Sequence, residues 1–326
     1  MSDPEFPTQR DVPGFTAEPA HAPELTNVPW IDVHNHAHTL SWDDREKLAL
    51  SGCEASITIG AAYYWAPYRP VRAEDVRSLW DEALARTRPI ERSHLFEVKL
   101  GLGVHTWSRV KNAEELLASL PGYLELDVVA AVGEIGVTKS QHVHEWNLDA
   151  QREVVTEQMR IAEEYDTPVI LHTPPTLNEE SVIGSRMPVY EVDLELLQEP
   201  VLNEEGTSLQ GTKIDVECAR AAGLPEEKVV VSHADPTITE YVMESTDCYL
   251  SFTVGYPWLT GVTAADVAEA IETYGPDRIM IDTDCAGVIK SDPFAIKRSI
   301  FELHRRGIDT DDIRRVVHEN PRDVFF

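Results

Sequence analysis

The sequence has no apolar run approaching the roughly 18 residues of a membrane-spanning helix, so no membrane segment is expected. Its first residues, MSDPEFPTQRDV, carry neither a basic start nor an apolar stretch, which argues against a secretory signal. Only four cysteines occur, Cys53, Cys218, Cys248 and Cys285, and none forms a CxxC pair. Without an export signal they read as reduced thiols of a cytoplasmic protein. Lysine is scarce: eight residues, within 28 basic residues set against 57 acidic ones. A chain with this balance lacks a broad cationic face for gripping nucleic-acid backbones, although a local one remains open. Glycine-rich phosphate loops are missing too. Neither GxGxxG nor GxxxxGKS/T follows the first apolar run, and there is no GxSxG nucleophile elbow.

What the sequence does have is acid, and it is spread over the whole length. The net charge is −29. Dense carboxylates with few lysines fit a surface adapted to high salt, where repulsion is screened, and so a halophilic source. Hydrophobic residues make up 42% of the chain, as in a globular protein with a sizeable core. Residues 1–28 are rich in proline and acid and read as a flexible arm, leaving 29–326 as one domain.

Eight short apolar runs punctuate that domain: Trp30–His34, Ala55–Gly60, Phe96–His105, Asp127–Gly136, Pro168–His172, Lys228–His233, Cys248–Gly255 and Arg278–Asp284. Most are apolar on both faces, as buried parallel strands are, and amphipathic segments lie between them. Strands alternating with helices imply parallel βα units, and a count of eight favours a closed (β/α)8 TIM barrel over an open doubly wound sheet. One connection is unusually long. It runs from Thr173 to Thr212 and starts at the end of the fifth strand, where a TIM barrel carries its active site; a lid or specificity role is expected.

The chemistry is legible in where certain residues fall. His34 and His36 close the first run, Glu134 the fourth, His172 the fifth, His233 the sixth and Asp284 the eighth. In a barrel those ends meet at one rim. His34 and His36, at i and i+2 on a strand, point the same way. Imidazoles with carboxylates suit Zn, Mn, Co or Fe better than Mg. Six ligands are too many for one tetrahedral catalytic site, but they suit two divalent ions sharing a carboxylate, an arrangement that activates water for hydrolysis.

DVHNH resembles the DxHxH signature of the amidohydrolase superfamily, and GLGVH, GEIGV, PVILHTP, SHADP, RIMIDTD and ENPRDVFF resemble, in order, the blocks of the TatD family of metal-dependent hydrolases, many of them deoxyribonucleases. The resemblance covers Trp30 to Phe326. It implies that His34, His36, Glu134 and Asp284 hold one metal and that Glu134, His172 and His233 hold the other. Glu134 then bridges, and Asp284 takes the proton from the metal-bridging hydroxide. Asp282 stands where the family commonly has Glu, and His105 matches a GxHP-like block; both are candidate substrate or supporting residues. Asp32 is expected to face away from the ligands, as a support behind them or as a barrel-packing residue. Departures fall in the substrate pocket. Thr173-Pro174-Pro175 replaces a basic residue after the fifth-strand histidine, Ala234-Asp235-Pro236 replaces a Cys-Phe-Ser-Gly stretch, and His38 replaces an Asp. Losing a cation there weakens the grip on a phosphate.

Three readings follow: a phosphodiesterase acting on nucleic-acid ends, an amidohydrolase or lactonase acting on a small amide or ester, and a non-catalytic metal-binding protein. Weaker candidates are His142 and His144, Tyr63, Tyr64 and Trp65, and Arg69 and Arg72. The oligomeric state is not legible.

Overall fold

A computed structural model describes residues 23–60, 70–106, 110–137, 147–173, 207–287 and 291–326. His142, His144, Tyr63, Tyr64, Trp65 and Arg69 lie outside the described residues, as does most of the long connection after His172. Eight strands form one parallel sheet in chain order: β1 (Trp30–Asn35), β2 (Cys53–Ile59), β3 (Glu97–Leu102), β4 (Val129–Ile135), β5 (Val169–His172), β6 (Val229–Ser232), β7 (Tyr249–Thr253) and β8 (Ile279–Asp282). The sheet curls into a (β/α)8 TIM barrel. Its seam between β8 and β1 is tied by backbone bonds from Asp284 to His34 and from His36 to Cys285, both 2.8 Å.

Two apolar layers hold the barrel. The outer one packs the helices onto the strands, with Trp80, Leu116, Val155, Met159 and Ile300 buried against β-branched strand residues. The inner one fills the lower barrel with Ile31, Val33, Ile57, Ile170, Val230 and Met280, closed from below by Phe325 of the C-terminal helix Asn320–Phe325. Asn320 fixes that helix by donating to the carbonyls of Pro276 and Ile279. Each buried Ile or Val contributes about 1.5–3 kcal/mol of transfer free energy.

The structure corrects three boundaries. Residues 23–28 belong to the packed molecule: Leu25 and Val28 are buried, and Lys297 holds the carbonyls of Leu25 and Thr26. The helix after the long connection spans Thr207–Ala222, so it begins inside the stretch expected to be irregular. Several strands are shorter than their apolar runs. His36, His105, His233 and Asp284 lie past the last strand residue, in the segments that turn over the rim.

Candidate metal centre

Two irregularities in the strands build the centre. On β1, Asp32 pairs with Ser56 and Asn35 with Thr58, so three steps on β1 match two on β2. One extra residue is a bulge, and it reverses which side chains face the axis. Below it Ile31 and Val33 face inward; above it His34 and His36 do. On β4, Gly133 pairs with Ile170 and Ile135 with Leu171, a second extra residue. Ala131 faces inward below that point, and a Cβ on Gly133 would lie 2.8 Å from Ile170 Cβ. The bulge turns Glu134 inward as well.

Two further candidates depend on backbone that L-residues rarely adopt. His233 has φ 55° and Asp284 φ 43°, each just beyond its strand. Left-handed backbone at a non-glycine residue costs on the order of 1–3 kcal/mol and persists where the surroundings enforce it. The flanking backbone bonds Ala234 to Ser251 (3.0 Å) and Asp284 to His34 (2.8 Å) do so.

All six expected residues come together at the rim. Glu134 Oε2 lies 3.6 Å from His34 Nε2. Glu134 Oε1 lies 3.1 Å from His233 Nε2 and contacts His172 Nδ1. Asp284 Oδ1 lies 3.0 Å from His36 Nε2 and 3.6 Å from His34 Nε2. His105 joins from the β3 side, its Nε2 4.0 Å from Glu134 Oε1 and its ring centroid 4.6 Å from that of His172. His34, His36 and Glu134, then His34, His233 and Asp284, then His105, Glu134 and His172 form three groups whose ligand atoms lie within 4.8 Å of one another.

Supporting hydrogen bonds fix which ring nitrogen faces the centre. Ser232 and Ser251 both give their hydroxyl protons to Asp282 Oδ2, at 3.2 and 2.5 Å. Ser232 Oγ is thus left to accept from His34 Nδ1–H at 2.8 Å. His36 Nδ1–H donates to the Ile59 carbonyl at 3.0 Å, and His233 Nδ1 pairs with Thr253 Oγ1 at 2.9 Å. In all three, Nε2 points to the carboxylates, as second-layer partners of metal-bound histidines arrange it. Asp282 is fully buried beneath this layer and is linked to His34 through Ser232.

Asp32 ties the two seam segments together. It accepts from the Thr283 N–H (3.0 Å), the Thr283 hydroxyl (2.6 Å) and Asn35 Nδ2 (3.0 Å). Burial lifts its carboxyl to about 7 against those hydrogen bonds. Asp32 was a candidate support in the sequence; Ser232, Ser251, Thr253 and Thr283 were not singled out from it. The available signal was a polar residue in an otherwise apolar buried strand, as in VVVS and YLSFT.

The electrostatics are those of a cation site. Burial would raise Glu134, but His172 and His34 outweigh it and hold the carboxyl well below its usual range. Asp284 is likewise lowered by His34 and His36 in spite of burial. Burial disfavours a charged His34, yet Glu134 and Asp284 lift it to about 10. The buried carboxylates thus draw a positive charge into their midst. His34 Nε2 and His172 Nε2 are buried without a hydrogen-bond partner among the described residues. Oriented imidazole lone pairs around ionised carboxylates fit divalent metal. His105, pushed down to about 3 by burial and by His172, stays neutral, and so does His38 at about 3 beside the site, its ring 6.2 Å from that of His36. Arg72 is exposed, and its backbone bridges to that of Lys111.

The TatD-related DNase family model matches residues 31–326. The chain belongs to the TatD family. An uncharacterized metal-dependent hydrolase of Methanocaldococcus jannaschii is 26% identical over 297 residues, which cover 90% of this TatD chain and 99% of that protein. Among solved structures, a TatD-like protein from Archaeoglobus fulgidus superposes with TM-score 0.61 at 19% identity, over 90% of this chain and 99% of that one. The phosphotriesterase homology protein of Escherichia coli, crystallised with phosphate in its active site, gives 0.58 at 11% identity, over 92% and 99%. The structural likenesses show the fold. With the family and the relative, the chain is a metal-dependent hydrolase of the TatD family. No helix among the described residues is long and apolar enough to cross a membrane.

Proposed function

We propose that the chain is a two-metal hydrolase that cleaves a phosphodiester at a nucleic-acid end. His34, His36, Glu134 and Asp284 would hold one divalent ion, and Glu134, His172 and His233 the other. One observation carries the dinuclear reading. The two oxygens of Glu134 face different histidines, Oε2 toward His34 and Oε1 toward His172 and His233. When bound, such ions polarise the scissile bond and acidify the attacking water. The residues do the rest. Asp284, held ionised, accepts the proton of the attacking water on its carboxylate. The Asp282–Ser232–His34 chain holds the imidazole in one tautomer. His172 and His233, partly open at the rim, sit where substrate enters. His105 is a neutral donor or acceptor beside them.

Elemental analysis tests the ligand set: two ions per wild-type chain, and neither retained tightly by Glu134→Gln. Less than one ion per chain after reconstitution with Zn or Mn would instead support a metal-binding protein without catalysis.

A second reading is hydrolysis of a small amide or ester. It is favoured because, among the described residues, Glu134 and Asp284 pair only with histidines, and the residue after His172 is the uncharged Thr173. Oligonucleotides assayed against a panel of amides and lactones, with Mn or Zn in near-molar KCl, separate the two. No turnover of any DNA substrate sinks the phosphodiester reading. The salt is chosen because a charge of −29 fits a halophilic chain; the melting temperature should then rise between 0.1 and 2 M KCl, and a fall would contradict it.

A further inference from the structure

The helix Thr207–Ala222 carries a buried acid that the proposed mechanism does not use. Asp215 is 1% exposed, and its Oδ1 accepts the Val137 N–H at 2.9 Å. Val137 stands three residues after Glu134, in the turn that leaves β4. That turn is squeezed. Gly136 has φ +147°, and a Cβ there would lie 2.8 Å from the His172 carbonyl oxygen and 2.9 Å from Asp215 Oδ2. The His172 main chain and the Asp215 carboxyl therefore both crowd the face of Gly136 where a Cβ would stand. The Gly136 carbonyl is held in turn by the Thr106 hydroxyl, next to His105.

A buried carboxyl normally finds partners for both oxygens, yet Asp215 Oδ2 has none among the described residues. Burial also pushes this carboxyl well above the usual carboxylate range. An acid retained under those conditions implies a use for its Oδ1 bond. We propose that Asp215 is a positioning residue for the His172/His233 half of the metal centre, acting on His172 through the Val137 amide and the Gly136 turn. The inference rests on the dinuclear reading above. The other half is placed by different groups, namely Asp32, Ser232 and the Ile59 carbonyl. Loss of Asp215 therefore acts on one ion and spares the other.

The test compares Asp215→Ala and Asp215→Asn with wild type in two measurements. The first is a titration of metal-free protein with Zn or Mn by calorimetry and elemental analysis. Asp215→Ala should keep one ion at wild-type affinity and bind the second about 10–100-fold more weakly, the usual loss when an outer partner of a ligand is removed. Asp215→Asn keeps the acceptor oxygen and should stay within a few-fold of wild type. The second is hydrogen exchange at the Val137 amide in metal-free protein, protected in wild type and Asp215→Asn and unprotected in Asp215→Ala. A general packing defect would lower the melting temperature without separating the two ions. Equal weakening of both ions, or unchanged binding in Asp215→Ala, overturns the proposal. So does undiminished Val137 protection. If wild type itself holds one ion, the dinuclear reading falls and takes the metal half of this inference with it, while the exchange data still decide whether Asp215 braces the turn.

Discussion

Below the two bulges the barrel interior is built from Ile31, Val33, Ile57, Ile170, Val230 and Met280, sealed by Phe325. Just above, the same strands deliver His34, Glu134, His172 and Ser232, backed by Asp282 and Ser251. Both levels are buried to a similar degree, so burial alone does not distinguish them. The lower level is satisfied by contact, which is non-directional and tolerant of shape. The upper one must pair every polar atom and hold carboxylates ionised among imidazoles, which demands directions. On β1 and β4 the bulges reverse which side chains face the axis between floor and rim, and just beyond β6 and β8 the backbone turns left-handed. Irregular geometry between floor and rim aims the site.

The comparison is broken most severely at Glu134. Glu134→Gln should lower turnover by about 10³-fold or more, since two-metal electrostatics supply several kcal/mol of barrier reduction. The metal-free variant should also melt below metal-free wild type, because a carboxylate held below its usual range by His172 and His34 stabilises the fold and Gln does not replace that pairing. A variant that keeps both ions and its rate would end the claim that the upper level is organised by Glu134.

The floor gives the complementary result. Ile170→Ala should cost about 2–5 kcal/mol of stability by denaturant titration, from lost transfer energy and a cavity. At permissive temperature it should bind metal with wild-type stoichiometry. Loss of metal without loss of stability would show that the two levels are not separable.

A smaller effect is expected between them. Ser232→Ala removes the link from Asp282 to His34 and should weaken metal binding about 10–100-fold by calorimetry, with little change in melting temperature. If the affinity does not move, the hydroxyl layer is packing and does not orient the ligand.

The smallest effect concerns Asp215. Its folded carboxyl is raised well above its unfolded value of about 3.9 by burial. The unfolded chain therefore loses its proton first, and wild type loses stability as pH climbs from about 4 until the folded group ionises. Asp215→Asn has no such loss. Its advantage in urea midpoint should be nil near pH 4 and grow toward neutrality. A constant gap across that range would mean the group is not protonated in the folded protein.

Much of this was legible in the sequence, for a specific reason. Buried parallel strands are apolar on both faces, so a histidine or acid at the end of such a run stands out. His34, His36, Glu134, His172, His233 and Asp284 were found that way. The supports were not, because Ser232, Ser251 and Thr253 look like ordinary small strand residues until a partner is seen. Asp215 was hidden inside an amphipathic helix whose start at Thr207 the sequence does not mark clearly.

Strict alternation along β1 sets His34 and His36 on one side and Ile31 and Val33 on the other. In the fold, Ile31, Val33, His34 and His36 all face the axis, because the extra residue before Asn35 reverses the pattern. The alternation of apolar runs with amphipathic segments determined eight parallel strands, the barrel and the six residues at its rim, since those follow from local periodicity and the number of units. Only the tertiary structure decided how those six side chains meet. Bulges, left-handed residues and second-layer hydroxyls are set by pairing between strands far apart in the chain, and no local pattern encodes that pairing.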